Sequence, residues 1–166
     1  GYSIAWGAGT AAYLPLMGPE KDYLLERDAV HRFLQPLLSD PSIAKVGQNI
    51  KFDLIVLRSQ GLHVSHVAGD TMVADYLLDA GARNHNLDEL AKRHLNHATI
   101  TIDTLIGTGK AQRTMDQASV ARVATYAAED VDIPIRLRAL LEPRLESENL
   151  LSVYRNVELP LIEVLA

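Results

Sequence analysis

The apolar positions at the start of the chain follow first the two-residue period of β-strands and then the 3.6-residue period of an α-helix. Residues 1–6 and 11–16 alternate loosely around a Gly-Ala-Gly sequence, which predicts two short strands joined by a glycine turn. Because Pro15 lacks an amide donor, the second strand is expected to lie at a sheet edge or to end there. Residues 26–38 then carry an apolar stripe of helical spacing, and Pro36 is expected to kink or end that helix.

Short apolar segments and capping residues continue this alternation of strands and helices. Residues 43–48 and 62–67 are compact and apolar, as expected for strands. A helix is predicted between them at residues 51–60, since Gly61 directly follows its last residue. Residues of the N-cap type precede two further predicted helices: Asp70, Thr71 and Asn86.

The second half of the chain has an almost wholly helical pattern. Helix is predicted from residue 116 to about 151, with interruptions near Pro134 and Pro143, and another helix is predicted over residues 154–166. The chain has no internal repeat and no low-complexity segment. Strands that come early, with helices between and after them, predict an α/β fold.

Composition narrows the class of protein further. A chain of 166 residues is predicted to fold around one sizeable core. It has no cysteine, which excludes a disulfide scaffold, a thiolate zinc site and a cysteine nucleophile, and which fits a cytoplasmic location. No apolar run approaches the roughly 20 residues that span a bilayer, so no membrane partner is expected. The net charge of −5 argues against binding by broad phosphate neutralisation, but it does not exclude a nucleic-acid enzyme whose acids bind metal.

Two polar residues, Asn49 and Asp53, stand where a predicted strand leads into a predicted helix. They are four positions apart, so in a helix that begins at Asn49 they share one face. A carboxylate at this point faces the space beyond the carboxyl end of the strand, where α/β proteins usually place an active site. The alternative, which spacing alone favours, is an N-cap Asn with a first-turn Asp that interacts with the helix dipole.

A second polar group lies in the long helix, where residues 126–132 read Tyr-Ala-Ala-Glu-Asp-Val-Asp. Tyr126 and Asp130 are again four positions apart, and the two alanines between them allow another element to approach closely. Three acids within four residues repel one another, so they favour a cation or a basic partner nearby. The alternative is a solvated helix face.

Four histidines form two pairs with the three-residue spacing of metal ligands on a helix: His63, His66, His94 and His97. The first pair stands in strand or loop sequence, and neither pair has a matching partner motif. Surface or capping roles are therefore predicted for them rather than a zinc site. The chain also lacks a Gly-x-Ser-x-Gly elbow and a phosphate loop of the Walker type.

The order of four motifs resembles one known family. They are GQNIKFD at 47–53, DTM at 70–72, LDELA at 87–91 and YAAEDVD at 126–132. Together they are similar to the 3′–5′ exonuclease (proofreading) domain of bacterial family A DNA polymerases, the polymerase I type. The resemblance covers essentially the whole chain. It implies an exonuclease domain over residues 1–152 and the start of a connection to a polymerase domain over residues 153–166.

The resemblance implies a ribonuclease H-like mixed sheet flanked by helices, and two divalent metal ions, Mg²⁺ or Mn²⁺, that hydrolyse the terminal phosphodiester. Asp130 is then a direct ligand of the metal that activates the water, and Tyr126 orients that water through its hydroxyl. Asp53 holds the second metal, largely through water. Asn49, with Gln48 and Lys51, binds the terminal nucleotide, whereas Phe52 is expected to pack.

The chain departs from the family in one respect. The family carries Asp-x-Glu on the first, central strand, and none of the twelve aspartates here is followed two positions later by Glu. Because residues 1–6 resemble the second strand of the family, the central strand is expected to be missing from the chain as given. The chain is then expected to be a fragment with weak or no activity. The alternative is a catalytically silent domain that supports a polymerase.

The expected nucleic-acid partner is a single-stranded or frayed 3′ end of DNA, because the terminal phosphate must reach the metals. Four basic residues are candidate phosphate contacts: Lys51, Lys92, Lys110 and Arg113. The alternative for them is scattered surface charge that serves only solubility.

Overall fold

A computed structural model describes all 166 residues and contains two separate pairs of strands. The first pair is the antiparallel hairpin of β1 (Tyr2–Gly7) and β2 (Thr10–Leu14). Gly9 has a φ of 74° in the turn, a conformation that glycine adopts without steric cost. The strand–turn–strand prediction is therefore confirmed, and Pro15 follows the last residue of β2.

The second pair is parallel and consists of β3 (Lys45–Gly47) and β4 (Val67–Asp70). Gly47 pairs with Asp70, so both strands end at the same edge. The helix α2 (Ile50–Ser59) connects them, as the βαβ rule for parallel strands requires. The segment 62–67, predicted as a strand, is irregular up to Val67. Its two buried residues, Leu62 and Val64, therefore belong to a loop and not to a strand.

The remaining helices agree with the pattern in part: those predicted over residues 26–38 and after Asp70 and Asn86 are confirmed, the one predicted from residue 116 to about 151 extends only over residues 120–147, and the short helix at residues 103–106 was not predicted. In chain order they are α1 (Arg27–Ser39), α3 (Thr71–Leu78), α4 (Leu87–Leu95), α5 (Asp103–Ile106), α6 (Val120–Ser147), α7 (Leu151–Val153), a π-helical stretch (Tyr154–Glu158) and α8 (Leu159–Leu165). None of them is long and apolar enough to span a bilayer.

Helix α6 forms the centre of the molecule, because both strand pairs and the helices α3 and α4 pack against it. Its buried face repeats every four residues, as a helix with one apolar stripe requires: Ile133, Leu137, Leu141 and Leu145, all fully buried. These side chains join the buried face of α2 and the C-terminal helical segment in one core. The α/β prediction is thus confirmed, although the strands form two pairs and not one continuous mixed sheet.

Helix α6 runs without interruption through Pro134 and Pro143, so the interruptions predicted near these prolines were wrong. Helix α1 likewise does not end at Pro36 but continues to Ser39. A proline inside a helix removes one backbone hydrogen bond and costs about 3 kcal/mol. In α6 the burial of Pro134 and of the apolar stripe around it offsets that cost, because packing contributes more to a protein helix than intrinsic propensity does.

Candidate active site

The candidate site begins at the turn between β3 and α2, where two helices share one capping carboxylate. Asn49 takes the N-cap position of α2 with a φ of 54°, and its own side chain makes no capping bond. The carboxylate of Asp70 instead accepts hydrogen bonds from the amides of Asn49 (3.2 Å) and Ile50 (2.8 Å). It also caps α3 through two further amides, Met72 at 2.9 Å and Val73 at 3.2 Å. The capping prediction for Asp70 is confirmed, whereas a side-chain cap by Asn49 is not what the structure shows.

Asp53 lies one turn into α2 with an exposed side chain. It takes part in no ion pair. Surrounding protein removes part of its water, and together with the nearby negative charge of Asp70 this raises the pKa of Asp53 to about 6. A carboxylate with a raised pKa and no cationic partner gains free energy when a positive charge approaches it.

Tyr126 and Asp130 lie together one turn apart on α6, as their spacing predicts, and both are partly buried. The pKa of Asp130 is raised to about 6, mainly by burial; the hydrogen bond from the Tyr126 hydroxyl opposes this rise, and the neighbouring acids Glu129 and Asp88 add to it. Burial and the Asp130 charge also raise the pKa of Tyr126 well above its ordinary value. The hydroxyl of Tyr126 is therefore protonated at every physiological pH.

Asp53 and Asp130 stand on different helices, α2 and α6. The charged group that raises the pKa of Asp53 is Asp70, whereas those that raise the pKa of Asp130 are Glu129 and Asp88. The structure therefore brings Tyr126 together with Asp130, and Asp53 together with Asp70.

The other two acids of the 126–132 motif are engaged in structural contacts. Glu129 accepts from the amide of Ile100 at 2.6 Å and lies 2.8 Å from His97 Nε2, and Asp132 accepts from the amide of Gly9 at 2.5 Å. The first contact anchors the segment after α4, and the second anchors the tip of the β1–β2 hairpin. Asp130 is consequently the one acid of the motif that has no basic or amide partner.

The predicted substrate-binding residues differ in how free their side chains are. Gln48 donates from Nε2 to the carbonyl of His85 at 2.7 Å and accepts from the Thr71 hydroxyl, so it already bridges two segments of the protein. Lys51 forms no ion pair. Phe52 is 63% exposed, so the expectation that it packs was wrong: its position on α2 faces away from the core residues Ile50 and Leu54.

A buried aspartate that the sequence did not single out lies on α3. Asp75 accepts from His85 Nδ1 and His94 Nε2, each at 2.6 Å, and from Arg93 at 3.1 Å. Burial alone would raise the pKa of Asp75, but these partners lower it overall. We call these four residues the Asp75 cluster. The surface or capping role predicted for His94 was wrong, and His97 likewise contacts Glu129.

The donor set fits a hydrated divalent cation better than a closed cage. No group of three or more His, Asp or Glu side chains is arranged to hold a metal ion. Asp53 and Asp130 each offer carboxylate oxygens that are free of cationic partners. Mg²⁺ and similar ions prefer oxygen ligands, keep several waters and are commonly bound by one or two carboxylates with substrate phosphates. The two residues suit such an ion.

The α/β fold of this chain is also found among solved structures. The chain superimposes on a structure described as the apo form of a nuclease with a TM-score of 0.69 at 22% identity, over 98% of this chain and 72% of that one. The sequence profile of a family described as 3′–5′ exonuclease matches residues 1–146, and the chain belongs to this family.

Two relatives give the family context. DNA polymerase I of Pseudomonas aeruginosa is 43% identical over the whole of this chain, which spans only 19% of that polymerase. Brucella melitensis NrnC with bound Mg²⁺ is 28% identical with a TM-score of 0.58, over 80% of this chain and 59% of that one. The chain is thus similar along its full length to one segment of a much longer bacterial polymerase.

Proposed function

We propose that this chain is the 3′–5′ exonuclease domain of a DNA polymerase I and that it removes 3′-terminal nucleotides by metal-assisted phosphodiester hydrolysis. The observation that carries the proposal is the Tyr126–Asp130 pair on α6, in which the carboxylate has a pKa of about 6 and no cationic partner. The family match and the similarity to the Pseudomonas aeruginosa polymerase support the same function.

Asp130 and Asp53 are proposed to hold two divalent cations, Mg²⁺ or Mn²⁺. Support comes from their raised pKa values, from their carboxylate chemistry and from the Mg²⁺ bound to the related Brucella melitensis NrnC. When bound, such cations supply a hydroxide-like nucleophile and stabilise the negative charge that develops on the leaving 3′ oxygen.

The surrounding side chains are proposed to orient the reacting groups. Tyr126 keeps its hydroxyl proton, so it can hold a water beside Asp130 by donating or accepting a hydrogen bond. The side chain of Asn49 makes no capping hydrogen bond, so its carboxamide group is free to bind the terminal nucleotide. Lys51, one position into α2, is proposed to contact a phosphate, and Gln48 to contact the same nucleotide with its remaining hydrogen-bonding capacity.

We further propose that a strand carrying Asp-x-Glu joins the two strand pairs in the active domain. Both pairs pack against α6 but do not hydrogen-bond to each other, and the 166 residues contain no Asp-x-Glu. Unpaired strand edges and an incomplete acid set are the expected consequences. Little or no hydrolysis is therefore expected from the chain as given. Residues 1–152 are proposed as the exonuclease part and residues 153–166 as the start of the connection to a polymerase domain.

The test measures release of the labelled 3′ nucleotide from single-stranded DNA in the presence of Mg²⁺ or Mn²⁺. The protein is a longer version of this chain that includes an Asp-x-Glu strand before residue 1. We expect cleavage that Asp130→Ala reduces at least 1,000-fold, because the variant loses a metal ligand. Asp116→Ala is the matched control, since Asp116 is an exposed aspartate with no ion pair.

A second candidate function is a catalytically silent domain that supports a polymerase. The observation that favours it is the lack of any group of three metal-binding side chains in the structure. A folded longer protein that retains Asp-x-Glu and still fails to cleave DNA would establish this second function and contradict the first.

A further inference from the structure

One buried carboxylate has no part in the mechanism just proposed. Asp70 is 1% exposed, and its two oxygens accept four backbone amides that belong to two helices. An ordinary N-cap serves one helix with one or two amides. Asp70 therefore fixes the start of α2 relative to the start of α3, in addition to capping α3.

The backbone of Asp70 is itself held by a residue 84 positions later. The amide of Asp70 donates to the hydroxyl of Tyr154 at 2.7 Å, and the same hydroxyl donates to the Asp70 carbonyl at 3.1 Å. The side chain of Tyr154 is 1% exposed. Tyr154 begins the π-helical stretch, and π-helical turns occur often at functional positions. One hydroxyl thus completes both backbone hydrogen bonds of Asp70.

The packing along this path leaves little room for movement. A Cβ atom added at Gly47 would lie 3.1 Å from the Ile50 side chain, closer than such contacts normally are. A Cβ atom at Gly69 would lie 3.3 Å from Val46 and 3.5 Å from the Tyr154 hydroxyl. The contacts run from Tyr154 through Asp70 to the first turn of α2, which carries Asp53.

We propose that Asp70 and Tyr154 are positioning residues that hold the first turn of α2 so that Asp53 meets its cation, and that they thereby couple the C-terminal helical segment (residues 151–165) to the candidate active site. This inference rests on the proposed function, since it assigns to Asp53 the role of a metal ligand. Asp70 and Tyr154 touch neither substrate nor metal; they act through the backbone of α2.

The contacts of Asp70 predict which part of this arrangement a conservative substitution breaks. Oδ1 accepts from Asn49, Met72 and Val73, whereas Oδ2 accepts only from Ile50. In Asp70→Asn the carboxamide keeps its oxygen toward the three amides and turns its NH₂ group toward the Ile50 amide. The cap of α3 then survives, and the contact to Ile50 is lost.

The experiment measures Mn²⁺ affinity by titration calorimetry on the longer version of this chain that includes the Asp-x-Glu strand, at a temperature where every variant is folded. Loss of a residue that orients a metal ligand typically weakens metal affinity about tenfold or more, and we expect at least a tenfold loss in Asp70→Asn. Tyr154→Phe removes the hydroxyl without changing any charge, and we expect about a threefold to tenfold loss there. The control Val30→Ala opens a cavity at a buried position of α1 and should leave affinity unchanged.

Tyr154→Phe separates positioning from electrostatics. If Asp70 acts only through its negative charge, Tyr154→Phe binds Mn²⁺ as the wild type does, and the proposal is overturned. If Tyr154→Phe weakens Mn²⁺ binding by displacing Asp53, the same substitution should leave the Mn²⁺ affinity of Asp53→Asn unchanged. A loss of the same size in that background would also overturn the proposal.

Amide hydrogen exchange tests, independently of any metal, whether Asp70 and Tyr154 hold the first turn of α2. The amide of Ile50 should exchange at least tenfold faster in both Asp70→Asn and Tyr154→Phe, while those of α4 keep their wild-type rates. If the wild type binds no Mn²⁺, the metal site of the proposed function fails, and the coupling to Asp53 fails with it. Unchanged exchange at Ile50 in both variants would contradict the proposal that Asp70 and Tyr154 hold the first turn of α2, whatever the result for the metal.

Discussion

Two groups of carboxylates in this molecule have opposite surroundings. Asp53 and Asp130 lie on different helices, have no cationic partner and have pKa values raised to about 6. Asp75 is far more buried, yet its pKa is lowered on balance. The difference comes from two histidines and an arginine that lie within 3.1 Å of Asp75.

The comparison shows which carboxylates a bound cation would stabilise and which ones the protein already stabilises by itself. In the Asp75 cluster the protein supplies the hydrogen-bond donors and the positive charge itself, so the carboxylate is satisfied and the cluster serves stability. At Asp53 and Asp130 the loss of surrounding water disfavours the ionised form, and no cationic partner compensates for that loss. Carboxylates left in this state are characteristic of functional sites. Each of the following predictions tests that division.

The largest effect is expected from Asp75→Ala. The substitution leaves His85, His94 and Arg93 without their shared acceptor, and removal of one partner from a buried charged group is strongly destabilising. We expect the free energy of unfolding to fall by about 3 kcal/mol, measured by urea denaturation. Asp116→Ala should change it by less than about 0.5 kcal/mol. A loss under about 1 kcal/mol for Asp75→Ala would show that the cluster is not the structural element described here.

The second prediction concerns added metal. Mn²⁺ at about ten times its dissociation constant should raise the free energy of unfolding by about 1.4 kcal/mol, because it binds the folded state only. For a chain of this size that corresponds to a rise in Tm of about 3–5 °C, and EDTA should reverse it. The rise should be smaller in Asp130→Asn, which loses one of the two proposed cation ligands, and should persist unchanged in Asp116→Asn. An equal rise in both variants would mean that the cation binds elsewhere.

The third prediction is a pH dependence at Asp130 in the absence of divalent metal. Its folded pKa of about 6 lies above the ordinary value of 3.8, so its contribution to stability is complete below pH 3.8 and is lost as the pH rises through 6. This loss of stability does not occur in Asp130→Asn, because asparagine has no carboxyl group to ionise. We expect the variant to match the wild type near pH 4 and to exceed it by on the order of 1 kcal/mol at pH 7.5, after allowance for solvent screening.

Urea denaturation at a series of pH values measures this difference. Asp75 should behave in the opposite way, because its pKa is lowered: it stabilises the fold above its unfolded pKa, and that contribution is lost as the pH falls. A pH-independent gap between Asp130→Asn and the wild type would contradict the assignment.

Local features of the fold and site could be predicted from the sequence because they depend on neighbours a few residues apart. The helix after Asn49, the caps at Asp70 and Asn86, and the shared face of Tyr126 and Asp130 all follow from spacing of four residues or fewer. The resemblance to the exonuclease family used the same short motifs, and the family profile confirms it.

Contacts between distant segments could not be predicted in this way. Asp70 meets Tyr154 across 84 positions, and Asp75 meets residues 10 to 19 positions away, in the loop before α4 and on α4 itself. Periodicity carries no information about which distant side chains meet. The prolines of α6 show the same limit, since the packing that carries the helix through Pro134 comes from elements far away in the chain.

The smallest effect is expected where the two groups of carboxylates are linked. Gln48 directly follows Gly47, the last residue of β3, and its side chain donates to the carbonyl of His85, a member of the Asp75 cluster. Gln48→Leu should cost about 1–2 kcal/mol of unfolding free energy, since the hydrogen bonds to the His85 carbonyl and from the Thr71 hydroxyl are both lost. If the contact transmits order between the regions, Gln48→Leu and Asp75→Ala should be non-additive by about 0.5–1 kcal/mol in a double-mutant cycle, because the loop around His85 is already loosened when Asp75 is absent. Additivity within about 0.3 kcal/mol would show instead that the Asp75 cluster and the candidate active site are energetically independent.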